Sequence, residues 1–144
     1  MSELSAEVKQ FFEGYERANA EFEPEKMAAF YADTFMFAGP NGIQPVQKEG
    51  FIKILPKRKE FFRSVGLAAS SIEAIESSQL DSKYVLVKAV WKMRFDRGAG
   101  PPLHSPASST YILLSEGDSF RIVFQLDHQD LMKDVQRLGL KLGS

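Results

Sequence analysis

The 144-residue chain contains no cysteine, which excludes disulfides, thiolate metal ligands and thiol nucleophiles together. It also has almost no net charge. Eighteen Lys and Arg stand against 19 Asp and Glu, so the chain as a whole does not attract nucleic acid or an anionic membrane. No apolar run approaches the roughly 18 residues of a membrane span, and Met-Ser-Glu-Leu-Ser-Ala-Glu lacks the basic start of a secretory signal. A cytoplasmic location is the expectation. Histidine occurs twice and the two are far apart. There is no glycine-rich phosphate loop, GxSxG elbow or HExxH pair, so neither a cofactor nor a metal is expected. What is abundant is apolar: 44% of residues, with twelve Phe and four Tyr, enough for one core in a single domain spanning 1–144.

Apolar spacing gives the order of elements. Val8, Phe11, Phe12, Tyr15, Ala18 and Phe22 repeat with the helical period behind Ser5, a residue suited to capping, and predict a helix over 5–21. Pro24 suits the first turn of a short second helix ending near Ala32, with Met27, Phe30 and Tyr31 inward. Residues 34–38 read as a strand stopped by Gly39-Pro40-Asn41-Gly42. A third helix over 47–65 carries Pro56, where a kink or restart is expected.

Strands dominate the rest. Residues 72–79 and 83–95 read as strands, the second with Val85, Val87, Ala89, Trp91, Met93 and Phe95 on one wholly apolar face. Residues 97–106, with three Pro and two Gly, predict a long loop that carries His104 as a lid candidate. Strands over 109–115 and 120–126 flank a Gly117-Asp118 turn, with Glu116 opposite Ser119, Leu113 opposite Ile122 and Tyr111 opposite Phe124. A short amphipathic helix is expected from Asp127 onward. Helices followed by a mostly antiparallel meander make an α+β arrangement. The face away from the helices, with Tyr84, Leu86 and Val90, is more apolar than a monomer leaves in water, and this predicts a homodimer through the sheet.

Phe11-Phe-Glu-Gly-Tyr15, the stretch from Phe30 to Gly42, the long helix and Phe120-Arg-Ile-Val-Phe-Gln-Leu-Asp-His-Gln-Asp130 together resemble the nuclear transport factor two superfamily, in its SnoaL-like branch. The resemblance covers almost the whole chain. It implies a cone-shaped, cystatin-like curved antiparallel sheet with the N-terminal helices packed on its concave face. Proteins of that kind include cofactor-independent isomerases, cyclases, dehydratases and epoxide hydrolases as well as non-catalytic binders, so fold does not choose among them. Tyr15 is similar to a pocket tyrosine that donates to an oxyanion in ketosteroid-isomerase-like relatives. Gly39 stands where those relatives place an aspartate, so proton abstraction of that kind lacks its base. Arg94, Asp96 and Asp127 resemble the Arg and two Asp of limonene-epoxide-hydrolase-like members, but strand parity puts Arg94 and Asp96 opposite Trp91 and Met93, among surface charges.

The candidate site is therefore assembled at the other end of the meander. Gln125 and Asp127 share a strand face and offer an amide and a carboxylate to one ligand. His128 has a ring suited to proton transfer near neutral pH, with Asp127 beside it. Trp91, Met93 and Phe37 either line an apolar cavity or fill a solid core. Lys53, Lys57, Arg58, Lys59 and Arg63 read as a solvated helix face. Two functions follow: a small, largely apolar ligand held in a hollow, with Asp127, His128 and Tyr15 as its acid-base and hydrogen-bonding groups, or a filled module that serves dimerisation or a protein partner.

Overall fold

The helical stripe Val8, Phe12, Tyr15 and Ala18 is buried on α1 (Ser2–Glu21) in the computed structural model, which describes residues 2–21, 23–64, 66–96, 101–117 and 119–129. Glu3, Leu4 and Ala6 are good helix formers, so α1 starts three residues before the expected cap and Ser5 lies inside it. α2 (Pro24–Ala28) ends four residues before Ala32. The ladder overrides the helical spacing there: Ile122 donates its backbone N–H to Phe30 O at 2.8 Å, and Tyr31 opens β1 (Tyr31–Gly39) beside Ile122.

β1 turns through Pro40 and Asn41 into β2 (Gly42–Gln47), an edge strand containing Pro45 whose mostly exposed residues carry no apolar alternation, and it was not expected from the sequence. α3 (Lys48–Ser64) runs through Pro56 as one helix without a restart; Pro56 is exposed, on the side where an unpaired carbonyl can meet water.

β3 (Leu67–Gln79), β4 (Tyr84–Phe95), β5 (Leu103–Glu116) and β6 (Ser119–Asp127) complete a curved six-stranded sheet in the order β2-β1-β6-β5-β4-β3. The sheet is antiparallel except where β6 lies parallel to β1, the pairing that joins the N-terminal hairpin to the meander. β5 starts at Leu103 and pairs His104 with Arg94, so His104 is a strand residue and not part of a lid. Pro106 is tolerated because β6 ends opposite Ser109, leaving β5 a partner on one side only. Residues 97–100 and the expected C-terminal helix beyond Gln129 lie outside the described residues.

The alternating face of β4 is buried as expected, and α1 and α3 cover it with Val8, Phe12, Tyr15, Phe51, Leu55 and Phe62. Among the described residues, no helix is long and apolar enough to cross a membrane.

The register of β5 and β6 departs from expectation at one point, and the site depends on it. Glu116 pairs with Ser119 and Leu113 with Ile122, but a bulge then places Ile112 opposite Phe124 and Tyr111 opposite Gln125. Val123 is the extra residue. The shift lets Ile122 and Gln125, three positions apart, both face the helices and be buried, while Phe124 turns to the outer face.

Gly66 closes the turn between α3 and β3 at φ +91°, where a Cβ would stand 2.3 Å from the carbonyl oxygen of Asp96. The Asp96 N–H donates to Gly66 O at 2.8 Å, so the two backbones cannot simply part. Gly66→Ala should cost about 3 kcal/mol from backbone strain and overpacking. A thermal melt would read this as a Tm lower by about 10 °C; an unchanged Tm would contradict the contact.

Candidate functional site

Between α1, α3 and the inner sheet face lies a chamber of about 140 Å³. Its apolar wall is built by Phe37 from β1, Phe51, Leu55 and Phe62 from α3, and Trp91 and Met93 from β4. An outer vestibule of about 600 Å³ opens beside it, between α3 and the β1–β2 turn. Phe37, Arg58, Phe62, Asp127 and Gln129 line both spaces, so chamber and vestibule adjoin along these side chains and a passage between them would run here.

The polar wall is one connected chain. Tyr15 and Tyr31 join hydroxyls at 2.7 Å, Tyr31 donates to Gln125 Oε1 at 2.5 Å, and Gln125 Nε2 donates to Asp127 Oδ1 at 3.0 Å. Ser109 Oγ donates to the same Oδ1 at 2.8 Å. The carboxylate fixes every proton in this chain. Asp127 accepts, so the Gln125 amide must turn its NH2 toward Asp127 and its oxygen toward Tyr31. Tyr31 spends its only hydrogen on that oxygen, so the hydrogen between the two phenols belongs to Tyr15. Among the described residues, Asp127 Oδ2 has no partner.

Tyr111 stands beside this chain, opposite Gln125 in the ladder, with its ring 5.9 Å from that of Tyr15. Burial pushes all three phenols up from their ordinary range. For Tyr15 the neighbouring Tyr31 oxygen and the Asp127 charge add to burial. For Tyr31 the Tyr111 and Asp127 charges add, while the hydrogen bond from Tyr15 and, to a smaller extent, Arg58 oppose. For Tyr111 the charges of Tyr15 and Asp127 add, and the Trp91 indole opposes through a hydrogen bond. The phenols are therefore neutral hydrogen-bonding groups at any ordinary pH.

Six of the seven residues singled out from the sequence meet at this chamber: Tyr15, Phe37, Trp91, Met93, Gln125 and Asp127. His128 does not. One position beyond Asp127 on an extended segment, it is exposed and its Nε2 lies 2.7 Å from Thr110 Oγ1, so it is removed from the set on grounds of parity. Asp127 ends β6. Arg94 and Asp96 pair with each other at 3.4 Å at the surface. Sequence reasoning missed Tyr31, Tyr111, Ser109 and Arg58. The available signal was that Tyr15, Tyr31 and Tyr111 all occupy apolar-patterned positions, and three buried hydroxyls require a shared polar network. Among the described residues, no group of three or more His, Asp or Glu could hold a metal ion.

In outline the fold is similar to several solved structures. Aln2 from a Streptomyces species superposes with a TM-score of 0.75 at 15% identity, over 95% of this chain and 98% of that one. A putative scytalone dehydratase from Novosphingobium aromaticivorans gives 0.70 at 14% identity, covering 88% of this chain and 87% of that one. A ketosteroid isomerase-like protein from Erwinia carotovora atroseptica gives 0.64 at 15% identity, covering 85% and 93%. No functionally curated protein matches the sequence. Residues 6–130 match the family described as NTF2-like protein (DUF6841), and the chain belongs to that family.

Proposed function

We propose that the chain binds a small, largely apolar molecule with one ring in the inner chamber, and that Asp127 serves it as a cofactor-independent acid-base group in the manner of SnoaL-like isomerases, cyclases or hydrolases. The observation that carries this reading is the Oδ2 of Asp127, without a partner among the described residues and lining both spaces, its partner oxygen held by Gln125 and Ser109. A carboxylate anchored through one oxygen keeps the other as an oriented acceptor for a substrate hydroxyl or an acidic C–H. The chamber has the size of a cavity of about 150 Å³ that takes up benzene. Neighbours named as a dehydratase and as ketosteroid isomerase-like accord with chemistry on cyclic substrates. The filled-module alternative is disfavoured by the chamber itself.

Trp91, the only tryptophan, lines the chamber and reports its occupancy. Phenol, which can donate to Oδ2, should change Trp91 emission saturably and bind about tenfold more tightly than toluene, as befits a hydrogen bond to a charged acceptor. No saturable change with either would refute the reading.

We also propose a homodimer through the outer sheet face. Register sets Met36, Phe124, Ile112 and Leu86 in one row across four strands, each half-buried in the isolated chain, with Tyr84 and Leu114 in the next row. Such a patch suits a self-complementary two-fold contact. Light scattering at micromolar concentration should give the mass of two chains and, for Ile112→Glu, of one; a monomeric wild type would refute the dimer. A cytoplasmic setting fits the cysteine-free composition.

A further inference from the structure

We infer that the ligand is an acid: a single-ring molecule whose short arm passes out of the chamber and presents a carboxylate to Arg58. This inference rests on the chamber reading above and adds the class of molecule. Arg58 lies on α3 at the passage and lines both spaces. It is half-buried, yet among the described residues it makes no ion pair and no hydrogen bond; its guanidinium carbon stands 6.0 Å from the centre of the Phe62 ring.

Among the described residues, the cations that do form ion pairs, Lys26, Lys48, Arg94 and Arg121, lie elsewhere and find Asp or Glu partners. A partly desolvated guanidinium without an anion is an unmet charge, and its planar fork matches a carboxylate through two parallel hydrogen bonds. The guanidinium lies over the face of Phe62 at the outer reach of a cation–π contact.

The rest of the vestibule is arranged for the same end. Lys57 lines it one residue away, so among the described residues two cations face one carboxylate, Asp127. Asp127 is already bonded inward to Gln125 and Ser109 and forms no ion pair with Arg58. A ligand anion is thus repelled from the Asp127 end of the passage and drawn to the α3 side. The ring end meets an acceptor and the arm end a cation, which fixes the direction in which the molecule enters.

The test compares 3-phenylpropionate with 3-phenylpropanamide, equal in shape and different in charge, by titrating Trp91 emission. The acid should bind about tenfold more tightly than the amide to the wild-type protein. In Arg58→Gln that advantage should vanish, the acid losing about tenfold in affinity and the amide, which meets residue 58 only through a neutral carbonyl, losing far less; Arg58→Lys, which keeps a charge on a similar stem, should retain a reduced advantage and serves if the Gln variant folds poorly. Equal binding of acid and amide by the wild type would overturn the inference and leave the chamber reading standing. An acid advantage that survives in Arg58→Gln would likewise overturn it. If neither compound changes the emission while phenol does, the arm does not leave by this passage and the inference fails alone; if phenol fails as well, both fall.

Discussion

Asp127→Asn should reverse the hydrogen-bonding polarity of the chamber and stop any proton transfer that occurs there. Gln125 presents its NH2 to residue 127 for as long as its oxygen stays engaged by the Tyr31 hydroxyl, the arrangement found in the folded protein. The amide oxygen of the substituted residue must therefore occupy the Oδ1 position, and its NH2 must occupy the place of Oδ2. A free acceptor becomes a donor. Phenol, which wild type should prefer over toluene, should lose that preference, and cyclohexanone, an acceptor of similar size, should gain about tenfold. For a catalysed reaction that uses the carboxylate as a base, turnover should fall by about a hundredfold or more. An unchanged preference for phenol would mean that the whole chain of donors turns round with Gln125 flipped, and would contradict the fixed direction derived from the Asp127 carboxylate.

Alkali should unfold the protein with unusual steepness. Tyr15, Tyr31 and Tyr111 have folded-state values raised above the 10.0 of an exposed phenol, chiefly by burial. Above pH 10 the unfolded chain releases these three protons while the folded chain keeps them, so the folded state binds more protons and loses stability as pH rises. Below pH 10 both states hold them and stability is unaffected by this group. With 1.36 kcal/mol per proton per pH unit, three phenols give a slope of about 4 kcal/mol per unit. A domain of ordinary stability would unfold within about two or three units above pH 10. Absorbance near 295 nm should show these three phenols ionising together with loss of secondary structure, and Tyr31→Phe should lower the slope by about a third. Gradual ionisation of all three before unfolding would contradict their burial.

Much of the fold was legible because it follows from spacing. The stripe on α1, the alternation of β4 and the pairing of Glu116 with Ser119 are local patterns, and the structure keeps each of them. The misread features are those decided by distant partners. Tyr31 looked helical because Met27, Phe30 and Tyr31 fit one face, yet Ile122 claims the backbone of Phe30 for the sheet. β2 carries no alternation because its side chains are mostly exposed at an edge.

The site was half legible for the same reason. Phe37, Trp91, Met93, Gln125 and Asp127 were recoverable as apolar or paired polar positions. Their convergence depends on the bulge at Val123, which turns Gln125 inward beside Ile122 and leaves no mark in residue type. Tyr31 and Ser109 become part of the polar chain only through contacts spanning 94 and 18 residues. Arg58 was hidden among the six basic residues of α3, and only its place on the wall of both spaces separates it from the rest.

The most direct examination is a crystal structure of the protein soaked with 4-bromophenol, whose bromine marks its position by anomalous scattering. The expected result is one ring in the chamber against Trp91 and Met93, with its hydroxyl within hydrogen-bonding distance of Asp127 Oδ2. A chamber closed by side chains, or a bromine peak only outside it, would contradict the hollow on which the proposed function stands.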